Sequence, residues 1–468
     1  MNLTLSAAER ILLGGTNTAP ENDVAFGNVC TDSRAVEPGD LFVCIEGERF
    51  DGHEFAETAA RSGAAAVLAS RMLDLPVPVL MVRDTVRGMG LLARACRDAA
   101  QARVVAVTGS AGKTTVKEML ASVAAQNGRV SRNAGNLNNQ IGLPLSIFRA
   151  DPDADLWVLE LGISKPHDMD ELGPVASPDM AVIHNIGPAH LEGLGDLRGV
   201  ARAKASLLRH LRPGGLAVVN ADHELLREEA LRLRPEATLY STVDSGHPYF
   251  CSFLGALPDG RGRYLVRTPD FELEAELPFC GAHFAENIGA AATAAHLLGL
   301  LGQSGQSLLA GLNETRTPAQ RFACSCRGGV TVIDDTYNAN PLSMRGAVTT
   351  AWEMARSGSE RPLVLVLGDM KELGSGAVEE HVRLGQHLRD VAPAAIFFHG
   401  EYARDVALGY GENARVEPLS SPETLLRRWR QLGLKNAVVL FKGSRSCRME
   451  DYAGALCREL DTHGEDGQ

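Results

Sequence analysis

The chain has 468 residues, 46 Lys+Arg against 58 Asp+Glu, and a formal net charge of −12. With 45% hydrophobic and 22% charged residues it is neither disordered nor collagen-like, and its length suggests about three domains. The acidic balance excludes non-specific nucleic-acid binding, which draws on a basic footprint, but leaves room for a locally basic anion site. Nine cysteines, thinly spread, read as reduced thiols of a cytoplasmic protein, and the C-x-C of Cys324 and Cys326 lacks the second pair that zinc needs. The opening MNLTLSAAER reaches Glu9 and Arg10 before any apolar stretch of signal-peptide length. No segment approaches the ~18 uninterrupted apolar residues of a membrane span.

In chain order, Leu41–Ile45 reads as a strand, Glu54–Ser62 as a helix, and Ala64–Leu68 and Val77–Val82 as two more strands. Asp84–Ala102 is Ala-rich and helical, with Asp84 placed to cap it. A second set of elements begins at Val104–Val107 and a third near Val330–Ile333. Between Ser241 and Leu277 the strand-like pieces contain Gly and Pro, which predicts an antiparallel appendage. Ala282–Leu301 is a further Ala-rich helix, Leu301–Gln306 a short linker, and the next boundary falls near Asn313–Pro318. The tail Thr462–Gln468 is polar and expected to fray.

Strands alternating with helices imply an α/β fold with mostly parallel sheets and ligands at the carboxyl ends of the strands. Six apolar runs fit that rule, each leading into polar or glycine-rich text. Val104–Val107 runs into Thr108–Thr115, Leu156–Leu159 into Glu160–Gly162, and Ala181–Ile183 into His184–His190. Val330–Ile333 runs into Asp334-Asp335, Leu363–Leu367 into Gly368–Gly374, and Ala437–Phe441 into Lys442–Arg445. The shared polarity of these ends points to an active cleft between the second and third domains.

Gly109-Ser110-Ala111-Gly112-Lys113-Thr114-Thr115 follows a strand and opens a helix predicted over Val116–Gln126. Glycines let the backbone wrap a phosphate, and the N–H groups of the helix start point at it. Lys113 is then placed for the β/γ-phosphates and the Thr114 hydroxyl for Mg²⁺. The strict P-loop glycine five residues before Gly-Lys is Val107 here, so the match is to a shorter G-x-x-G-K-T form. Glu160, ending a neighbouring apolar strand, reads either as a metal ligand or as a helix cap. His190 is by itself more typical of a structural histidine than of a Mg²⁺ ligand, since Mg²⁺ prefers oxygen. Lys204, from its own surroundings in sequence, reads as a solvated helix lysine.

Taken together, these motifs resemble the Mur ligase superfamily of ATP-dependent amide ligases over about Thr31 to Glu450. The most specific segments are Asn136–Pro144, Asp334–Met344, Gly368–Gly374 and Lys442–Glu450. The resemblance implies a small N-terminal α/β domain (1–102) that binds a UDP precursor. It also implies a central P-loop ATPase-type domain (103–313) and a C-terminal Rossmann-like domain (314–468). It implies ATP and Mg²⁺, two ions of it, as cofactors, with UDP-N-acetylmuramoyl-tripeptide and D-alanyl-D-alanine as substrates. It further implies a cytoplasmic monomer in peptidoglycan precursor synthesis, with ADP and phosphate released through an acyl phosphate.

Residue by residue, the resemblance implies Glu160 and His190 as Mg²⁺ ligands beside Thr114, and Lys204 as a carbamate whose oxygens face the metal. Asn287 matches the adenine-side asparagine, Arg321 the arginine at the γ-phosphate, and Asp335 the ribose carboxylate. Thr31–Arg34, with Ser33 and Arg34, and Gly47–His53 match segments that bind the UDP end, and Asn138 and Asn139 the Asn-rich loop. Tyr337, Asn338, Asn340, Lys442, Ser444 and Arg445 are candidates around the incoming dipeptide, or form a polar surface between domains. Three positions depart from the family pattern: Ser206 for a usual Glu, Gln320 for a usual Gly, and Gly289 for a usual apolar residue. The alternatives are a related amino-acid or polyglutamate ligase and, in another class, a nucleotide switch that does not ligate. The Tyr337–Pro341 segment disfavours the first, and an acceptor-independent ATP turnover would mark the second.

Overall fold

The computed structural model describes residues 3–13, 23–47, 49–257, 259–316, 318–358, 360–411 and 416–465. Glu48, inside the Gly47–His53 segment, and 466–468 of the tail lie outside the described residues. The chain divides into two compact units. The first comprises Met1–Thr108, Asn127–Val182 and Ser206–Ala217, and the second Gly109–Gln126, Ile183–Ala205 and Val218–Gln468.

In the first unit, β1 (Val29–Cys30), β2 (Leu41–Val43), β3 (Ala66–Ala69) and β4 (Val79–Met81) form a parallel sheet in sequential order. Phe42, Cys44, Ala56, Ala59 and Val67 bury one core beside it. The strands are shorter than their apolar runs because loop geometry trims them. Ile45, for example, gives its carbonyl to the Gly52 amide at 2.8 Å instead of continuing the ladder. The helix expected from Glu54 starts at Ala56, after a 3₁₀ turn over Gly52–Phe55 that Asp51 caps. The following helix, Thr85–Ala99, starts where expected, with the Asp84 carboxylate accepting from the Arg87 amide at 2.9 Å. Next come β5 (Arg103–Thr108), β6 (Val130–Arg132), β7 (Leu156–Glu160) and β8 (Met180–Ile183), in the order β8-β5-β7-β6. Parallel register sets Glu160 opposite Val107, two residues before the glycine loop begins.

The second unit carries β9 (Leu216–Asn220), β10 (Thr238–Ser241), β11 (Tyr249–Ala256), β12 (Gly262–Arg267) and β13 (Glu272–Leu277), ordered β13-β12-β11-β10-β9. The antiparallel appendage expected between Ser241 and Leu277 is β11-β12-β13, whose neighbours alternate, and β11 joins the preceding β10 in parallel. The connection after β10 is held out by Asp222, which accepts from the Thr242 amide and hydroxyl at 2.7 Å each, so it does not turn back as a hairpin. The helix Ala282–Leu297 stops short of Leu301 because Gly299 turns left-handed (φ +75°) and the Leu300 amide donates back to Ala295.

A six-stranded sheet follows. It contains β14 (Ala323–Arg327), β15 (Val330–Asp335), β16 (Leu363–Gly368), β17 (Ala395–His399), β18 (Val416–Pro418) and β19 (Val438–Lys442), ordered β14-β15-β19-β16-β17-β18. All neighbours run parallel except β14 and β15. Val332, Val366, Phe397, Val439 and Phe441 form its buried core. The last helix, Met449–Glu465, extends through the first half of the tail expected to fray. The fold is α/β, as the alternation of runs implied, and the register of β15, β19 and β16 gathers their polar carboxyl ends on one edge.

Candidate functional site

The glycine loop lies between β5 and the helix Lys113–Ala124, whose N-cap is Gly112 at φ +71°. A Cβ at Gly112 would stand 2.3 Å from Asn287 Oδ1 and 2.7 Å from His184 Nε2, so only glycine fits. Asn287 is 3% exposed, and its Oδ1 is buried without a hydrogen-bond partner. A buried side-chain oxygen with no protein donor, beside a glycine cradle, is suited to a donor from a nucleotide. The residues present therefore fit an adenine nucleotide. Thr114 and Thr115 are buried at the helix start, with Lys113 preceding them.

Asn185, at the end of β8, holds the loop. Its Oδ1 accepts from the Ser110 and Ala111 amides at 3.0 Å each, while its Nδ2 lies 2.8 Å from His184 Nε2 and 3.1 Å from Glu286 Oε2. His184 also meets the Tyr240 hydroxyl at 3.2 Å, and burial lowers its pKa to about 4, leaving it neutral. Sequence reasoning did not assign Asn185, His184 or Glu286; the only signal was the polar text after β8.

Lys204 is not a solvated lysine. It is 1% exposed, its ammonium donates to the Gly109 carbonyl at 2.9 Å, and burial, reinforced by Lys113, pushes its pKa well below the usual lysine value. A desolvated amine is biased toward the neutral form, the form able to take up CO₂. His190 sits in left-handed backbone (φ +55°), with Nδ1 2.5 Å from Glu372 Oε2, itself at φ +63°. The His190 hydrogen bond holds the Glu372 carboxyl below its ordinary range.

Within the first unit, Glu160 is 2% exposed and receives the Asn138 Nδ2 at 2.7 Å, and its backbone exchanges hydrogen bonds with Asn133. Asn139 accepts from the Gly142 amide at 2.8 Å and so starts the helix Gly142–Phe148. Both asparagines of the loop are thus committed to positioning protein groups. Arg34 beside Ser33 is 87% exposed and paired with Asp32 at 2.6 Å. Among the described residues no group of three or more His, Cys, Asp and Glu is gathered as a metal cluster.

On the six-stranded sheet the structure brings the other predicted residues together. Lys442 Nζ is 2.6 Å from Asp335 Oδ2 and donates to the Asn338 carbonyl at 3.0 Å. Ser444 Oγ accepts from the Lys371 amide, and the Arg445 amide donates to Asn338 Oδ1. The Arg321 guanidinium lies 4.0 Å over the Tyr337 ring. Gln320, where a glycine is usual, adopts φ +66°, a conformation glycine takes without strain. At Gly289 an added Cβ would come 2.9 Å from the Tyr240 ring, which accounts for the missing apolar side chain.

Comparison with known proteins identifies the family. The chain matches the Mur ligase family catalytic domain over residues 26–127, the Mur ligase middle domain over 107–295 and the Mur ligase glutamate ligase domain over 320–445. It is 36% identical to the UDP-N-acetylmuramoyl-tripeptide–D-alanyl-D-alanine ligase of Escherichia coli K12, covering 97% of this chain and 98% of that protein. Among solved structures it resembles MurF from Acinetobacter baumannii, with TM-score 0.86, 31% identity, and 94% of this chain and 95% of that one covered. It also resembles MurF from Thermotoga maritima in complex with ADP, with TM-score 0.84, 28% identity, and 93% and 98% covered. The phosphate loop, the buried Lys204 and the residues gathered on β15 and β19 therefore stand in a known framework: the chain belongs to the Mur ligase family.

Proposed function

We propose that this chain is the ATP-dependent ligase that joins D-alanyl-D-alanine to UDP-N-acetylmuramoyl-tripeptide in peptidoglycan precursor synthesis. The carboxylate at the end of the tripeptide attacks the γ-phosphorus of ATP and ADP leaves. The dipeptide amine then attacks the acyl phosphate, and the tetrahedral intermediate expels phosphate. The observation that carries this reading is the glycine cradle with the unpaired Asn287 oxygen, in a chain that matches the Escherichia coli ligase almost end to end.

In this reading the loop amides of 109–115 and Lys113 hold the phosphates, Asn287 faces the adenine side, Asp335 the ribose and Arg321 the γ-phosphate. These are positioning and charge-neutralising roles, as phosphoryl transfer requires. Thr114, Glu160, His190 and a carbamate on Lys204 would hold Mg²⁺, which when bound neutralises charge on the phosphates. The oxygen-rich character of that donor set supports it. Ser33, Arg34, Asn138 and Asn139 serve the UDP precursor, and Tyr337, Asn338, Lys442, Ser444 and Arg445 the acceptor side.

Three domains with seams at 102/103 and 313/314, a monomeric state and a cytoplasmic location complete the proposal. All nine cysteines are free thiols, which supports a reducing compartment, and among the described residues no helix is long and apolar enough to cross a membrane. The test is ADP release with UDP-N-acetylmuramoyl-tripeptide, with and without D-alanyl-D-alanine. Dependence on both is expected, and release that ignores either substrate overturns the ligase reading.

A further inference from the structure

Asn340 caps the helix Pro341–Arg356. Its Oδ1 accepts from the Ser343 amide at 2.9 Å, and its own amide donates to Ser343 Oγ at 3.1 Å. That accounts for one end of the carboxamide. The other end, Nδ2, donates to the carbonyl oxygen of Ser110 in the glycine loop at 3.1 Å, across 230 positions of sequence. Ser110 is itself 7% exposed and otherwise satisfied: its amide serves Asn185, and its hydroxyl exchanges hydrogen bonds with Gly187 at 3.0 and 3.2 Å.

The peptide plane between Ser110 and Ala111 is therefore held at both ends. Its carbonyl oxygen receives Asn340, and its N–H, which belongs to Ala111, is received by Asn185 at 3.0 Å. Because a peptide unit is rigid and planar, a bond to its oxygen fixes the direction of its N–H. A second contact runs beside the first: a Cβ added to Gly187 would stand 2.8 Å from Leu342 Cβ, so the first turn of the helix also packs on the segment that carries Asn185.

We infer that Asn340 is a positioning residue for the phosphate loop rather than a contact to the acceptor. It sets the orientation of the Ser110–Ala111 peptide from the start of the helix Pro341–Arg356. The neighbouring bonds of the same segment to Lys442 and Arg445 run through Asn338, so they do not pass through the Asn340 carboxamide and remain when it is replaced. Only the acceptor half of this inference rests on the proposed ligase reaction; the effect on nucleotide binding does not.

The experiment uses the full chain and two variants that keep the helix cap but lose the strut to Ser110. Asn340→Asp retains an acceptor for the Ser343 amide and turns a carboxylate toward the Ser110 carbonyl; Asn340→Ser retains a shorter acceptor with no charge. Mg·ADP binding by calorimetry, with no precursor or dipeptide present, is expected to weaken by about three- to tenfold in both. Melting midpoints should stay near that of the unaltered chain, and KM for D-alanyl-D-alanine should stay within about twofold. Mg·ADP affinity within twofold of the unaltered chain in the variant that retains its melting midpoint overturns the inference, whatever happens to the dipeptide KM. A weakened affinity upholds it. The unaltered chain is assayed in parallel for ADP release dependent on both substrates, so failure of the ligase reading registers separately from failure of the strut.

Discussion

Asp335 and Lys442 are each other's partner. They sit opposite in the parallel register of β15 and β19, with Nζ 2.6 Å from Oδ2, and Lys442 is 2% exposed. The other carboxylate oxygen, Oδ1, accepts from the Phe322 amide at 3.1 Å. Asp335, which the resemblance matches to a ribose carboxylate, and Lys442, a candidate for the acceptor side, thus form one electrostatic unit. Replacing Lys442 with Met leaves the largely buried Asp335 carboxylate without its counter-charge. Denaturant unfolding should show a loss of about 3 kcal/mol, and a loss under about 0.5 kcal/mol would mean that Asp335 is already satisfied by water.

Gly112→Ala should abolish nucleotide binding while leaving most of the fold intact. The new methyl group would collide with Asn287 and His184 in backbone that disfavours any side chain. Equilibrium binding of ADP should weaken by at least about a hundredfold, the two collisions and the strain together amounting to about 3 kcal/mol. Binding within tenfold of the unaltered chain would place the nucleotide elsewhere.

The His190–Glu372 pair joins two non-glycine residues in left-handed backbone, a concentration of strain typical of functional sites. If His190 faces Mg²⁺ through Nε2, Glu372 sets the ring's tautomer and orientation. Glu372→Gln should then raise the Mg²⁺ concentration for half-maximal ADP release by about tenfold. Stability should change by less than about 1 kcal/mol because the pair is partly exposed. An unchanged Mg²⁺ requirement removes that role.

His184 and His283 should make the protein acid-sensitive above the usual carboxylate range. Burial lowers both to about 4, against 6.5 when unfolded. Between those values the unfolded chain holds protons that the folded one does not, so stability falls as pH drops from 6.5 to 4, by roughly 3 kcal/mol for each histidine. His283→Gln, which removes one of them, should flatten the pH dependence of denaturant unfolding in that window. A parallel curve would show that His283 titrates normally.

Gln320→Gly and Gly289→Ala should move stability in opposite directions. The first relieves a left-handed side-chain residue and should stabilise by about 0.5 kcal/mol after the greater unfolded-state freedom of glycine is counted. The second pushes a methyl group against Tyr240 and should destabilise by about 2 kcal/mol. Thermal melts of the two variants check both signs at once.

The phosphate loop and the polar strand ends were legible in the sequence because they are local: glycines, a lysine and two threonines between a strand and a helix need only their neighbours to take their shape. Asp84 as a helix cap was legible for the same reason. Lys204 was not, since nothing beside it in sequence distinguishes a buried lysine from a solvated one. Its state is decided by the distant Gly109 carbonyl and by the packing that excludes water. Asn138 against Glu160, Asn185 beneath the loop and Asn340 on Ser110 share that limit. An asparagine carries two donors and two acceptor sites wherever it stands, and only its tertiary neighbours determine which of them remain for a ligand. Net charge followed the same division. The value of −12 excluded a class of partner, while the basic candidates Arg321, Lys442 and Arg445 acquired their settings only from folding, which laid Arg321 over the Tyr337 ring and set Lys442 against Asp335 and Arg445 against Glu450.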